Sequence, residues 1–138
     1  MSYLKVKKAL LTQLLTAVSA NDLALENKKF DPSNKSLWYA AYFLPSSSET
    51  MGKTSASSDE QRGIFQVSVF IDINRFDYDD SELQAIDNIL SAFTYNTSLV
   101  YNGQKVDVLT SDVNSGSESE AWYQRDISIN YLTFSERV

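Results

Sequence analysis

Apolar residues recur at helical spacing from the start of the chain. Val6, Leu10, Leu14 and Ala17, with Leu11, Leu15 and Val18 beside them, form a broad stripe over residues 3–18. This predicts an amphipathic first helix, with Ser2 placed to cap it. Ser19 to Ser36 mixes Asn, Asp and Lys with Leu23, Leu25 and Phe30, and Asp31-Pro32-Ser33-Asn34 is turn chemistry. A short edge strand fits Leu23 to Glu26. The run Leu37 to Leu44 is apolar at successive positions and is closed by Pro45, as in a strand covered on both faces by helix, sheet or a neighbouring subunit. Residues 46–60, rich in Ser and Thr, offer almost nothing to a core, and a long mobile loop is expected at about 46–61.

Strict alternation follows. From Arg62 to Ile73, Phe65, Val67, Val69, Ile71 and Ile73 share one face while Gln66, Ser68 and Asp72 share the other, which is the clearest strand pattern in the chain. Asp79-Asp80-Ser81-Glu82 opens a second helix through capping pairs Asp79/Glu82 or Ser81/Gln84, and Leu83, Ile86, Ile89, Leu90 and Phe93 supply its buried face. Leu99 to Tyr101 and Val106 to Leu109 flank Asn102-Gly103, the dipeptide best suited to a tight hairpin turn. A polar loop, Ser111 to Glu120, leads into a last long strand from Trp122 to Phe134, in which Tyr123, Ile127, Ile129 and Tyr131 alternate with polar residues. The order of elements predicts an α+β fold: one domain spanning residues 1–138, with a mostly antiparallel sheet and two helices packed on it.

Composition adds limits. The 138 residues, 43% hydrophobic, suffice for a single core. Eight Tyr, seven Phe and two Trp suit a pleated sheet. The chain has neither Cys nor His, which removes disulfides, thiol nucleophiles, soft metal sites and the usual near-neutral proton carrier. No run of roughly 18 apolar residues predicts a membrane span, and the Lys-rich start lacks a signal-peptide pattern. A soluble protein made in a cytoplasm is therefore expected. The net charge of -6 disfavours a surface that grips phosphates. It is unevenly spread: residues 1–35 carry six lysines against three acids, and the remainder six basic groups against fifteen acids.

Candidate chemistry is sparse. Asp72, Asp77, Asp79, Asp80 and Glu82 form the one acidic constellation suited to a hard cation, but the spacing fails the EF-hand pattern, with Asp77 where Gly belongs and Leu83 where Glu belongs. Helix capping and acids near a helix N-terminus explain the cluster better. No pair of carboxylates is singled out for glycoside hydrolysis. Gly52-Lys53-Thr54 resembles the end of a phosphate-binding loop, yet Ser47 stands where its first glycine belongs. Lys5, Lys7 and Lys8 read as a solvated helix face, Arg62-Gly63 as a loop-to-strand junction, and Trp38 and Trp122 as core anchors. No catalytic residue, metal site or cofactor is expected.

Taken in order, the Lys-rich first helix, Phe43-Leu44-Pro45, the Ser-rich loop and Arg62-Gly63-Ile64-Phe65-Gln66-Val67-Ser68-Val69-Phe70 resemble the tail terminator proteins of long-tailed siphophages. The Ser81–Phe93 helix, the Asn102-Gly103 hairpin and Trp122-Tyr123-Gln124-Arg125-Asp126-Ile127-Ser128-Ile129 continue the likeness over most of the chain. The resemblance implies a non-enzymatic virion protein of the tail neck. It would form a homo-oligomeric ring of six subunits that ends tube growth and meets both the tail tube protein and the head connector or stopper protein. Genome DNA would pass through without specific binding. On this reading residues 46–62 are a contacting arm, with Met51, Gly52, Lys53, Arg62 and Gly63 at the interface, and Asp77, Asp79, Asp80, Glu118 and Glu120 are candidates for an acidic lumen. A head-side neck adaptor and a small acidic assembly chaperone are the alternatives.

Overall fold

The computed structural model describes residues 3–26, 29–33, 35–50, 58–74, 78–114, 116–119 and 121–136. Helix α1 (Tyr3–Leu14) buries Val6, Ala9, Leu10 and Leu14. It ends as a regular helix four residues before the expected limit. The Thr16 hydroxyl donates to the Gln13 carbonyl at 2.7 Å, and the backbone tightens into turns that still deliver Val18 to the core. A single 3₁₀ turn, Ala20–Asp22, leads into β1 (Leu23–Leu25).

The remaining elements are β2 (Leu37–Thr50), β3 (Ser58–Asp72), α2 (Tyr78–Ala92), β4 (Ser98–Tyr101), β5 (Gln104–Val113), β6 (Ser117–Ser119) and β7 (Trp122–Glu136). They form a sheet in the order β1-β2-β3-β7-β5-β4, with β6 paired to β7 off that path. Among the described residues only the β1–β2 pair is parallel. The α+β class is as expected. Asn102 and Gly103 take φ of 48° and 84°, the positive values a tight two-residue hairpin requires. No helix among the described residues is long and apolar enough to cross a membrane.

Two polar stretches expected to be loop are partly strand. β2 does not stop at Pro45: a register shift between Pro45 and Ser47 accommodates the imide, and pairing with β3 runs on to Thr50↔Asp59. The far end of β3 also has β7 on its other side, out to Ser58↔Glu136. Backbone hydrogen bonds to two neighbours thus hold a sequence with few apolar side chains. Of the expected 46–61 loop, residues 51–57 lie outside the described residues. Likewise the expected Ser111–Glu120 loop contains the end of β5, carried past a register shift between Val108 and Ser111, and the short β6.

Alternation along the central strands puts Phe65, Val67, Val69, Ile71, Ile127, Ile129 and Tyr131 on one face, and they are almost completely buried. Both helices cover this face. α1 packs on β4 and β5, α2 packs on β3, and Ile86, Ile89 and Phe93 of α2 join the same cluster as Leu10 and Leu14 of α1. Each such side chain contributes about 1.5–3 kcal/mol by leaving water, so the two strand–helix layers account for most of the driving force.

Gly63 has a specific role in this layer. It faces Tyr131 across the β3–β7 pair, and the phenol ring lies over it, stacked against Phe43 with centroids 5.9 Å apart. A Cβ at position 63 would come within 2.7 Å of Tyr131 Cζ and 2.9 Å of the Leu44 carbonyl oxygen. The glycine is therefore more than a loop-to-strand junction: its missing side chain is the space that the tyrosine fills. Gly63→Ala is expected to lower stability by about 1–3 kcal/mol through overpacking, measured by urea unfolding.

The Tyr131 hydroxyl is buried and has no hydrogen-bond partner among the described residues. Burial, with Tyr3 adding a smaller effect, pushes its pKa from 10.0 up to about 12. The folded protein holds the proton more tightly than the unfolded chain does. Stability from the neutral phenol is thus complete below pH 10 and is lost as pH rises from 10 towards 12. Tyr131→Phe should remove this alkaline loss and raise stability at neutral pH by about 1 kcal/mol, because an unsatisfied buried hydroxyl disappears. Thermal melts across the alkaline range of the variant and the parent test both parts.

Candidate functional site

The sheet's second face carries no helix among the described residues, and its side chains sort into three zones. At one end Trp38 stacks on its cross-strand partner Phe70, with centroids 4.0 Å apart and planes within 7°. Phe30 stacks on the same indole at 5.2 Å and Trp122 meets it edge-on at 5.8 Å. The two tryptophans, expected as core anchors, thus form a separate half-buried cluster, because their register parity sends them away from the helices. The Trp38 indole N–H is buried with no acceptor among the described residues.

The middle zone is polar. Ser68, fully buried, donates to Asp126 Oδ1 at 2.6 Å, and Gln124 Nε2 donates to the same oxygen at 2.9 Å. Gln66 Nε2 donates to the Ser68 hydroxyl at 3.4 Å. These residues fall on the polar side of the sequence alternation, as expected, but they satisfy one another across β3 and β7. In the third zone Arg62 bonds Glu60 Oε1 through Nε at 2.9 Å and Nη2 at 2.7 Å. Beside it is a cleft of about 460 Å³ lined by Arg62, Ile64, Leu109, Thr110, Asn130 and Tyr131.

The residues singled out in the sequence do not converge. Arg62 is exposed and paired with Glu60, whereas Gly63 is interior beneath Tyr131. Asp80 is exposed in the first turn of α2, and Glu118 is exposed on β6. Asp79 also belongs to α2. Met51, Gly52, Lys53, Asp77 and Glu120 lie outside the described residues. Within the acidic stretch, Asp72 accepts the Asn74 backbone N–H at 2.9 Å, a local turn bond. Among the described residues no three Asp, Glu, His or Cys side chains come together as a metal site.

Glu82 departs most from the sequence reading. Expected as a capping residue, it is completely buried, and Arg125 Nε of β7 donates to its Oε1 at 3.0 Å. The Arg125 guanidinium also lies 5.5 Å from the centre of the Tyr123 ring. One signal for this was available: Glu82 stands four and seven residues before Ile86 and Ile89, on the apolar face of the helix. Its partner was not legible, since Arg125 lies 43 residues away along the chain.

A sequence model of a family described as phage tail terminator protein matches residues 5–131 of the chain. No curated protein matches. One solved structure is 25% identical and superposes with a TM-score of 0.75 over 96% of each chain. A chain from the virion of a native gene transfer agent particle has the same fold at 13% identity, with a TM-score of 0.59 over 97% of this chain and all of that one.

Removing one member of the buried ion pair tests its contribution. Glu82→Ala leaves the Arg125 charge without its carboxylate and is expected to destabilise the fold by about 3 kcal/mol. That is the low end for buried pairs, because Arg125 keeps 20% of its side chain in solvent. Glu82→Met with Arg125→Met should recover most of the loss in the same urea titration.

Proposed function

We propose, from the premise that this chain belongs to the phage tail terminator family, that it forms a closed ring of six subunits on the last ring of a tail tube, stops tube growth there and offers its far surface to the head connector. The observation that carries this reading is the family match over residues 5–131, which takes in every element from α1 to the middle of β7. The family is one of structural virion proteins, and the role asks no catalysis, metal or cofactor of the chain. The whole of residues 1–138 acts as one unit in the neck of the virion.

Physical features agree with ring assembly. A ring closes through heterologous contacts, so each subunit needs two unlike surfaces. Strand edges are available for such contacts: among the described residues β2 has no outer neighbour strand beyond Ala41, and β5 has none beyond Asp107. Residues 46–62, which span the outer ends of β2 and β3, form the arm that reaches the tube or the next subunit. An acidic chain around a DNA conduit repels phosphate, and the genome slides through without being gripped.

The test is tail length by negative-stain electron microscopy after disruption of the gene in its phage. Overlong tails without heads are the expected outcome. Tails of normal length beside leaking heads would assign the protein to the head side of the neck instead, and absence of the protein from finished virions of the intact phage would indicate an assembly chaperone.

A further inference from the structure

Helices α1 and α2 lie side by side on the sheet and touch along one flank each. Gln13 Nε2 of α1 donates to the Ala92 carbonyl of α2 at 2.6 Å, and Gln13, Thr16, Asn88 and Ser91 line the groove between them. At about 100° per residue, the flank of α1 turned away from α2 carries Leu4, Lys7, Lys8, Leu11 and Leu15. The flank of α2 turned away from α1 carries Leu83 and Leu90, while Asp80 and Asp87 lie on its outward side, between that flank and the groove. The apolar parts of the two free flanks therefore point in opposite directions across the subunit, and the charges lie on or beside their outward sides.

Each flank combines exposed apolar side chains with charge of a single sign. Leu4 is 62% exposed, Leu15 45% and Leu83 38%. α2 contains no Lys or Arg, and α1 contains no Asp or Glu. Lys7, Lys8, Asp80 and Asp87 meet no opposite charge among the described residues of the subunit. The lysines also crowd the N-terminal half of α1, where the helix dipole is positive and opposes them. For α1 this arrangement is unfavourable within one subunit. A surface of complementary charge and matching apolar residues offsets it, and α2 of another copy is such a surface.

We propose that α1 of one subunit docks on α2 of the next, with Lys7 and Lys8 against Asp80 and Asp87, and with Leu4, Leu11 and Leu15 against Leu83 and Leu90. The contact rests on the ring reading and supplies its subunit interface. Because the two flanks differ and face apart, the contact is head-to-tail and propagates until it closes.

Charge reversal tests it. Lys7→Glu with Lys8→Glu makes both flanks acidic, and Asp80→Lys with Asp87→Lys makes both basic. All four side chains are on the surface or half-buried, and circular dichroism checks that each variant folds. Ring formation is read by native mass spectrometry and negative-stain imaging in concentrated solution and on tube ends. Each variant alone should lose ring formation, and an equal mixture of the two should recover it as rings in which they alternate. Variants that form rings alone as well as the parent does, or that stay monomeric when mixed, would overturn the contact while leaving the ring reading intact. A parent chain that forms no ring in solution or on tubes would overturn the ring reading, and this contact with it. The absence of native cysteine allows an independent check. Leu15→Cys with Leu83→Cys should give a covalent ladder of subunits on oxidation, and a ladder no longer than for either single variant counts against the contact.

Discussion

The pairing of β3 with β7 is the constraint on which the rest of the molecule depends. Fifteen residues of each strand pair in unbroken register, from Ser58↔Glu136 to Asp72↔Trp122. Because side chains alternate with a period of two, this one register decides which residues meet the helices and which meet the opposite side. A slip of one residue would send Phe65, Val67, Ile127 and Ile129 outward together. The same long pairing gives the Ser-rich end of β2 a partner and keeps it in the sheet.

The two faces then have different energetics. The helix face is held by apolar burial, and the polar groups it takes in include Glu82 with Arg125 in contact, Thr133 bonded to the Lys105 carbonyl, and the Tyr131 phenol kept neutral over a glycine. The second face is held laterally, through stacked aromatic rings at one end and the Ser68, Asp126 and Gln124 bonds in the middle. Lateral contacts of this kind support a sheet face that no helix covers among the described residues. The strand edges and helix flanks are left as the surfaces that the proposed ring would use.

The charge pattern belongs with this division. Positive charge is concentrated on α1 and negative charge on later elements. This asymmetry has a physical use once copies of the chain meet, since opposite fields select a head-to-tail orientation over a symmetrical one.

Local periodicity made the alternation of β3 and β7, the Asn102-Gly103 hairpin and both helices legible in the sequence, because each depends on neighbours within a few residues. The sequence alone also determined the α+β class and the absence of Cys- and His-based chemistry. Tertiary structure decided what depends on distant partners. It carried β2 through Pro45 because β3 and β7 supply backbone hydrogen bonds that side-chain patterns do not encode. It buried Glu82 because Arg125 reaches it across the sheet, and it moved Trp38 and Trp122 off the core because strand register, set elsewhere, fixes their side. Gly63 reads as a junction in one dimension, and only the fold brings Tyr131 over it. Contacts between residues far apart in the chain leave no periodic trace in the sequence, so the strand ends and the partner of the buried Glu82 became visible only in three dimensions.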